Sequence, residues 1–292
     1  MPIVKKDDVR PGALACVQAP GGAGKTVLGF GFLNACHKLT GKPGLYGDMW
    51  EAGSSSAPGG VQCDYWAPSQ PVKDAKGNLV EVDPLDDLND FLFTLRDSDY
   101  PCAVIDTVST AGEVLLSSVT KKDLSEGKDT KRVTVKTKHG EVRVPCMLDY
   151  RAAGTMMAQW TFAALKITQQ KGKILLLLAH EKPLEMSSES GITLHAQVAP
   201  NILGSQLSRD FPKIPNLVAR VEVKQGGKRR FIADSDGLYI CKDRFRVFAP
   251  EGVDIGVDLS KTTSAEAKDK LLLERVTALW VPWLERVLNG GK

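Results

Sequence analysis

Residues 19–26 read Ala-Pro-Gly-Gly-Ala-Gly-Lys-Thr, between an apolar run from Ala13 to Gln18 and a helical pattern from Lys25 to Leu39 that turns Val27, Leu28, Phe32 and Leu33 inward. Strand, glycine-rich loop and helix in that order is a narrow instruction. Three glycines let the chain curl with no Cβ in the way, so the N–H groups from Gly21 to Thr26 can converge on one point, where the positive end of the helix dipole also lies. Such a point attracts anions. The spacing is the phosphate-loop pattern with Ala19 in place of the first glycine. It assigns Pro20, Gly21, Gly22, Ala23, Gly24, Lys25, Thr26 and Val27 to a nucleoside triphosphate, with Lys25 reaching the β and γ oxygens and the Thr26 hydroxyl ligating Mg²⁺. The expected ligands are ATP and Mg²⁺.

The rest of the chain supplies a framework for that loop. Further strands are expected at Gly44 to Gly47, at Cys102 to Ile105, which ends in Asp106, and at Lys173 to Ala179, apolar on both faces as the core of a parallel sheet requires. Helices are expected at Pro84 to Arg96, Asp149 to Gln170 and about Ser264 to Leu288. Residues 52–83 read as loops with an edge hairpin, Arg132 to Val144 as a hairpin around His139-Gly140, two strands bracket Gln225-Gly226-Gly227, and Gly237 to Cys241 reads as a short strand. The alternation implies an α/β fold, a mostly parallel sheet flanked by helices, with β-hairpin insertions and a C-terminal helix. Residues 1–250 would form the core, with a basic hairpin insertion at about 117–147, and 251–292 a helical extension.

Asp106, at the end of its strand some 80 residues after the loop, is placed to hold Mg²⁺ through water beside Thr26. Glu51 and Asp48, after the second strand, are candidates to orient or deprotonate the attacking water. His180 ends the buried strand, where it could contact the γ-phosphate. Six scattered cysteines, with no Cys-x-x-Cys, offer neither a zinc site nor a redox pair.

With the loop, LYGDMWE, VIDTVS and LLLLAHEKP in this order, residues 10–250 resemble the RecA-like core ATPases, and more narrowly the short phage-encoded nucleotide-binding proteins that act as single-strand annealing recombinases. Asp149-Tyr150, Asn201 to Gln206 and Lys242 to Phe245 support the narrower likeness. The resemblance implies a P-loop NTPase of RecA-like fold with Glu51 as catalytic base and His180 as sensor, on a strand lying between the loop strand and the Asp106 strand. It also implies that Lys242 and Arg244 act in trans on ATP held by a neighbouring protomer. In RadA their motif reads KNRFG, and here the glycine is Arg246.

The net charge of +3 is small, but between Lys121 and Arg143 eight Lys or Arg face four Asp or Glu, a local +4. The resemblance puts DNA-binding loops after the Asp106 strand and after the His180 strand. Lys131, Arg132, Lys136, Lys138 and Arg143 are therefore candidate DNA contacts, able to neutralise phosphates without reading sequence. The polar segment Glu181 to Pro215 is expected to be a loop that is mobile or orders on nucleic acid, and Lys224, Lys228, Arg229 and Arg230 form a further basic cluster.

The leading expectation is a Mg²⁺-ATP-dependent homo-oligomer, ring or filament, that binds single-stranded DNA and promotes annealing or strand exchange, with a single-strand DNA-binding protein as a further partner. A P-loop kinase is a second reading, although no Arg-rich lid is visible, and a nucleotide-gated regulatory module with little turnover is a third. No apolar run approaches the roughly 18 residues of a membrane span, and the start MPIVKKDDVR lacks an apolar signal segment. A cytoplasmic location without membrane contact is expected, host cytoplasm if the chain is phage-encoded.

Overall fold

Apolar residues on both faces of a strand demand cover on both sides, and the fold provides it. The computed structural model describes residues 11–51, 53–73, 77, 79–80, 82–121, 134–138, 140–187, 193–203, 205–256 and 264–291. In chain order the elements are β1 (Ala13–Ala19), α1 (Lys25–Thr40), β2 (Gly44–Asp48), β3 (Cys63–Trp66), β4 (Val72–Lys73), β5 (Leu79–Val80), α2 (Pro84–Asp97), β6 (Cys102–Asp106), α3 (Val108–Lys121), β7 (Thr134–Thr137) and β8 (Gly140–Arg143). They continue with α4 (Met147–Lys171), β9 (Ile174–Ser187), β10 (Thr193–Pro200), α5 (Ser205–Asp210), β11 (Leu217–Val223), β12 (Arg229–Ile232), β13 (Lys242–Asp243), β14 (Val253–Asp254) and α6 (Ala265–Leu288).

The main sheet runs β14-β12-β11-β1-β9-β6-β2-β3. From β11 to β3 every pair is parallel, while β12, β13 and β14 extend one edge in antiparallel fashion. The expected α/β architecture, a mostly parallel sheet with helices on both faces, hairpin insertions and a C-terminal helix, is the one observed. Strand β9 lies between β1 and β6, with Ala19 in register with His180 and Leu178 in register with Asp106.

The period of two in β1 divides the core. Ala13, Ala15, Val17 and Ala19 face α1 and α6, whereas Leu14 and Cys16 face α2, α3 and α4. Helix α6 shares the first of these clusters. Trp280 Nε1 donates to Leu28 O (3.0 Å), Asn34 Nδ2 donates to Thr277 Oγ1 (3.0 Å), and a Cβ on Gly31 would lie 2.4 Å from Val276 Cγ2, so only glycine admits this approach. Truncating a fully buried tryptophan such as Trp280 to alanine costs about 3–5 kcal/mol, a large fraction of the ~5–15 kcal/mol that holds a domain together.

Several segments differ from the sequence expectation; Cys63–Trp66, read among loops with an edge hairpin, joins the main sheet as β3, parallel to β2. Strand β9 does not stop at Ala179 but runs on to Ser187 and returns antiparallel as β10, so much of the expected polar loop is a hairpin. Residues 237–241 form no strand; Asp236 Oδ1 accepts the N–H groups of Leu238 and Tyr239 (3.1 and 2.9 Å), and this turn leaves a single bridge, Val198 to Tyr239. Helix α3, where no element is expected from the sequence, runs from Val108 to Lys121 and into the expected insertion.

Candidate nucleotide site

The loop leaves β1 at Ala19 and enters α1 at Lys25. Gly24 caps the helix in the left-handed region (φ 93°), Gly22 adopts φ 73°, and Ala23 N–H closes the turn on Pro20 O at 3.3 Å. Lys25 is 7% exposed and folds back over its own loop, its Nζ 3.5 Å from Ala19 O, 3.4 Å from Pro20 O and 3.2 Å from His180 Nδ1. Burial pulls the ammonium below the usual lysine range, opposed by the negative charges of Glu51, Asp106 and Glu181.

An ammonium has no lone pair, so His180 Nδ1 must accept from it, and the ring proton then sits on Nε2. That nitrogen faces Glu51 Oε1 at 2.9 Å. The same carboxylate oxygen accepts from Thr107 Oγ1 at 2.6 Å and from the Thr110 hydroxyl. Burial alone would raise the Glu51 carboxyl, but the hydrogen bonds from His180, Thr107 and Thr110 outweigh it and hold it at about 2. Lys25, His180 and Glu51 thus form one hydrogen-bonded line from the loop after β1, across β9 at the level of Ala19, to the segment after β2. Ser109 fixes its middle, accepting from His180 N–H (2.9 Å) and donating to Asn201 O (2.5 Å).

Asp106 is 1% exposed. Its Oδ2 accepts from Thr26 Oγ1 at 2.6 Å and from Tyr46 OH at 2.7 Å, while Oδ1 is buried without a hydrogen-bond partner among the described residues. Burial pushes this carboxyl upward, against the pull of Thr26 and Tyr46. The sequence brought Thr26 and Asp106 into the argument. It did not bring in Tyr46, Thr107 and Thr110, hydroxyls whose partners lie 60, 56 and 59 residues away.

Between the two strand-end acids of β2, it is Glu51 that meets His180. Met49 N–H donates to Asp106 O (2.8 Å) and ends the strand, and Trp50 adopts φ 65° before Glu51. Asp48 stands in register with Asp106 and lines a cavity of about 1010 Å³ together with Trp50, Tyr65, Trp66 and Lys121.

Lys242 and Arg244 are not gathered into this site. Asp243 is in register with Leu217, Arg244 N–H donates to Asn216 O, and Asn216 N–H donates to Leu14 O. At ~3.3 Å per residue, that row lies roughly 17 Å down the sheet from Ala19, and Lys242, in register with Val218 and so with Cys16, lies roughly 10 Å down. Burial and the Arg244 charge lower Lys242 to about 8. Arg246, where RadA has glycine, takes the left-handed conformation (φ 53°) in a turn held by Asp243, whose carboxylate accepts the N–H groups of Phe245, Val247 and Phe248. Lys136, Lys138 and Arg143 are exposed on the β7–β8 hairpin, and Arg143 Nη1 reaches Lys121 O at 3.3 Å. Lys131 and Arg132 lie outside the described residues.

No protein-family model and no curated protein matches the chain. Among solved structures, a KaiC-like protein from the hyperthermophilic archaeon Pyrococcus horikoshii is similar with a TM-score of 0.40 and 11% identity, over 77% of this chain and 82% of that one. Among the described residues no helix is long and apolar enough to cross a membrane.

Proposed function

We propose that the chain binds Mg²⁺-ATP in the Ala19–Thr26 loop and hydrolyses it, and that it works as a homo-oligomer on single-stranded DNA to promote annealing or strand exchange. The observation that carries the nucleotide reading is the 2.6 Å contact of Thr26 with Asp106, beside a buried carboxylate oxygen that has no hydrogen-bond partner among the described residues. Buried polar atoms are rarely left unmatched, and an oxygen pair at the foot of a phosphate loop is a donor set suited to Mg²⁺. Bound there, the ion would neutralise charge on the phosphate oxygens as the terminal bond breaks.

The protein's own groups divide the remaining work. Lys25 exchanges its loop carbonyls and His180 for phosphate oxygens. His180, released on one nitrogen but still joined to Glu51, is left able to register that exchange. Glu51, anchored on one oxygen, keeps the other to orient water. So weak a base positions water rather than holding its proton, which favours slow turnover and keeps the nucleotide-gated module as a second reading.

The DNA reading is supported by the exposed Lys136, Lys138 and Arg143 and by the resemblance to annealing recombinases. The placement of Lys242 and Arg244 away from their own loop supports contact with a neighbour's nucleotide. Phosphate release and calorimetric ATP binding test the core of the proposal. Lys25→Ala is expected to weaken ATP binding at least about a hundredfold, since the ammonium is the one cation within the loop. A wild-type protein with no saturable ATP binding would overturn the reading. Binding to labelled single strands should weaken steeply with salt and tighten with a slowly hydrolysed ATP analogue, and salt-insensitive binding would remove the DNA part alone.

A further inference from the structure

The groups proposed to handle the terminal phosphate all lie on one side of the loop. His180 lies in β9 in register with Ala19, Asp106 ends β6 and Glu51 follows β2, and these strands succeed β1 in one direction across the sheet. A nucleotide whose γ-phosphate faces that side must extend its α-phosphate and nucleoside toward the other, where β11 and β12 lie. At the start of β12, Arg229 Nε stands 3.9 Å from the point that a Cβ on Gly24 would occupy. This nitrogen is buried and has no hydrogen-bond partner among the described residues. Around it opens a cleft of about 210 Å³ lined by Lys224, Lys228, Arg229, Arg230 and Asp254, four cations to one carboxylate. The carboxylate is engaged locally, Asp254 Oδ1 accepting from Gly256 N–H at 2.8 Å, and Arg229 is fixed at its backbone, where its carbonyl accepts from Ile255 N–H at 2.9 Å.

We infer that Arg229 is a nucleotide-binding residue whose guanidinium meets the α-phosphate of the nucleotide held by the loop. The inference rests on the proposal that Ala19–Thr26 binds a nucleotide, and it assigns the nucleoside side of that site, which the loop sequence leaves open. A planar fork with a stranded donor suits a phosphate better than a lysine's point charge does. The residue comes from the QGG hairpin, a basic cluster otherwise available for solvent or nucleic acid.

Calorimetric titration of ADP and of inorganic tripolyphosphate, each with Mg²⁺, into wild type, Lys25→Ala, Arg229→Ala, Arg229→Lys and Lys38→Ala tests this. Lys38 is exposed near the far end of α1 and controls for the loss of one positive charge. Arg229→Ala should weaken both ligands roughly ten- to a hundredfold, the range of a charge-assisted hydrogen bond. Arg229→Lys should recover part of the loss, and Lys38→Ala should bind as wild type. If alanine lowers the melting temperature, Arg229→Gln repeats the measurement with similar bulk and no charge. Loss of ADP affinity with tripolyphosphate unchanged would move the contact from phosphate to nucleoside and overturn the inference. Unchanged binding by Arg229→Ala while Lys25→Ala binds poorly would overturn it and leave the loop reading standing. No binding by wild type would overturn both.

Discussion

Asp106 ends β6 and Glu51 follows the neighbouring strand β2, both beside the same loop, yet their surroundings are opposites. Asp106 is sealed in the core, lifted by burial, with two donors on one oxygen and, among the described residues, none on the other. Glu51 is more open and is held down to about 2 by three donors on a single oxygen. The first carboxylate costs stability until a positive charge joins it, whereas the second is stabilised by the protein itself. That contrast separates a carboxylate with one oxygen unmatched among the described residues from one the protein itself holds.

The widest separation should appear in catalysis. Asp106→Asn removes the charge beside Thr26 and should lower hydrolysis on the order of a thousandfold while abolishing the Mg²⁺ dependence of ATP binding. Glu51→Gln should cost about a hundredfold in kcat and leave ATP affinity unchanged. Equal losses of affinity in the two variants, read by calorimetry beside steady-state phosphate release, would erase the distinction.

A smaller effect, opposite in sign for the two residues, is expected in metal-free thermal melts between pH 2 and 6. Glu51 has a folded value below its ordinary 4.5, so its contribution is present above the unfolded value and is lost as pH falls toward about 2. Glu51→Gln should therefore lose less stability than wild type on acidification. Asp106 is raised in the folded state, so its ionisation takes stability away as pH rises above the unfolded value near 3.8. Asp106→Asn should gain on wild type over that rise. Parallel curves for both variants would show that the two carboxylates are alike after all.

The smallest change is expected from Tyr46→Phe, which leaves Asp106 Oδ2 to Thr26 alone. Losing a hydrogen bond to a buried charged group should cost about 1.5–3 kcal/mol of stability without metal. Mg²⁺ should restore part of it, because the ion relieves the same carboxylate. A chemical-denaturation midpoint that does not move would mean that the phenol contributes packing only.

These contrasts also mark what the sequence could disclose. Strands β1, β6 and β9 were legible because runs such as ALACVQ and KILLLLA are apolar on both faces, and the loop and Asp106 sit at their ends. Helix α3 was not, since VSTAGEVLLSSVTK is rich in β-branched and small polar residues that gain helicity only by packing. The continuation of β9 past His180 carries Glu, Lys and Pro in EKPLEMS, with no hydrophobic period to announce a ribbon. Tyr46 and Thr110 look like ordinary strand and helix residues until the fold brings them to a carboxylate. Arg229 belonged to a visible basic cluster, but its neighbour Gly24 is some two hundred residues distant in the chain.

The contact of Trp280 with Leu28, spanning 252 residues, has a consequence for the order of assembly. During synthesis the loop and α1 emerge more than two hundred residues before α6, so the apolar face of α1 finds this cover only once α6 has followed. Local folding alone cannot finish the site, because its supporting contacts are among the most distant in sequence. Helix α6 therefore acts as a keystone: an incomplete chain has every residue of the phosphate loop and lacks the packing that makes the loop rigid.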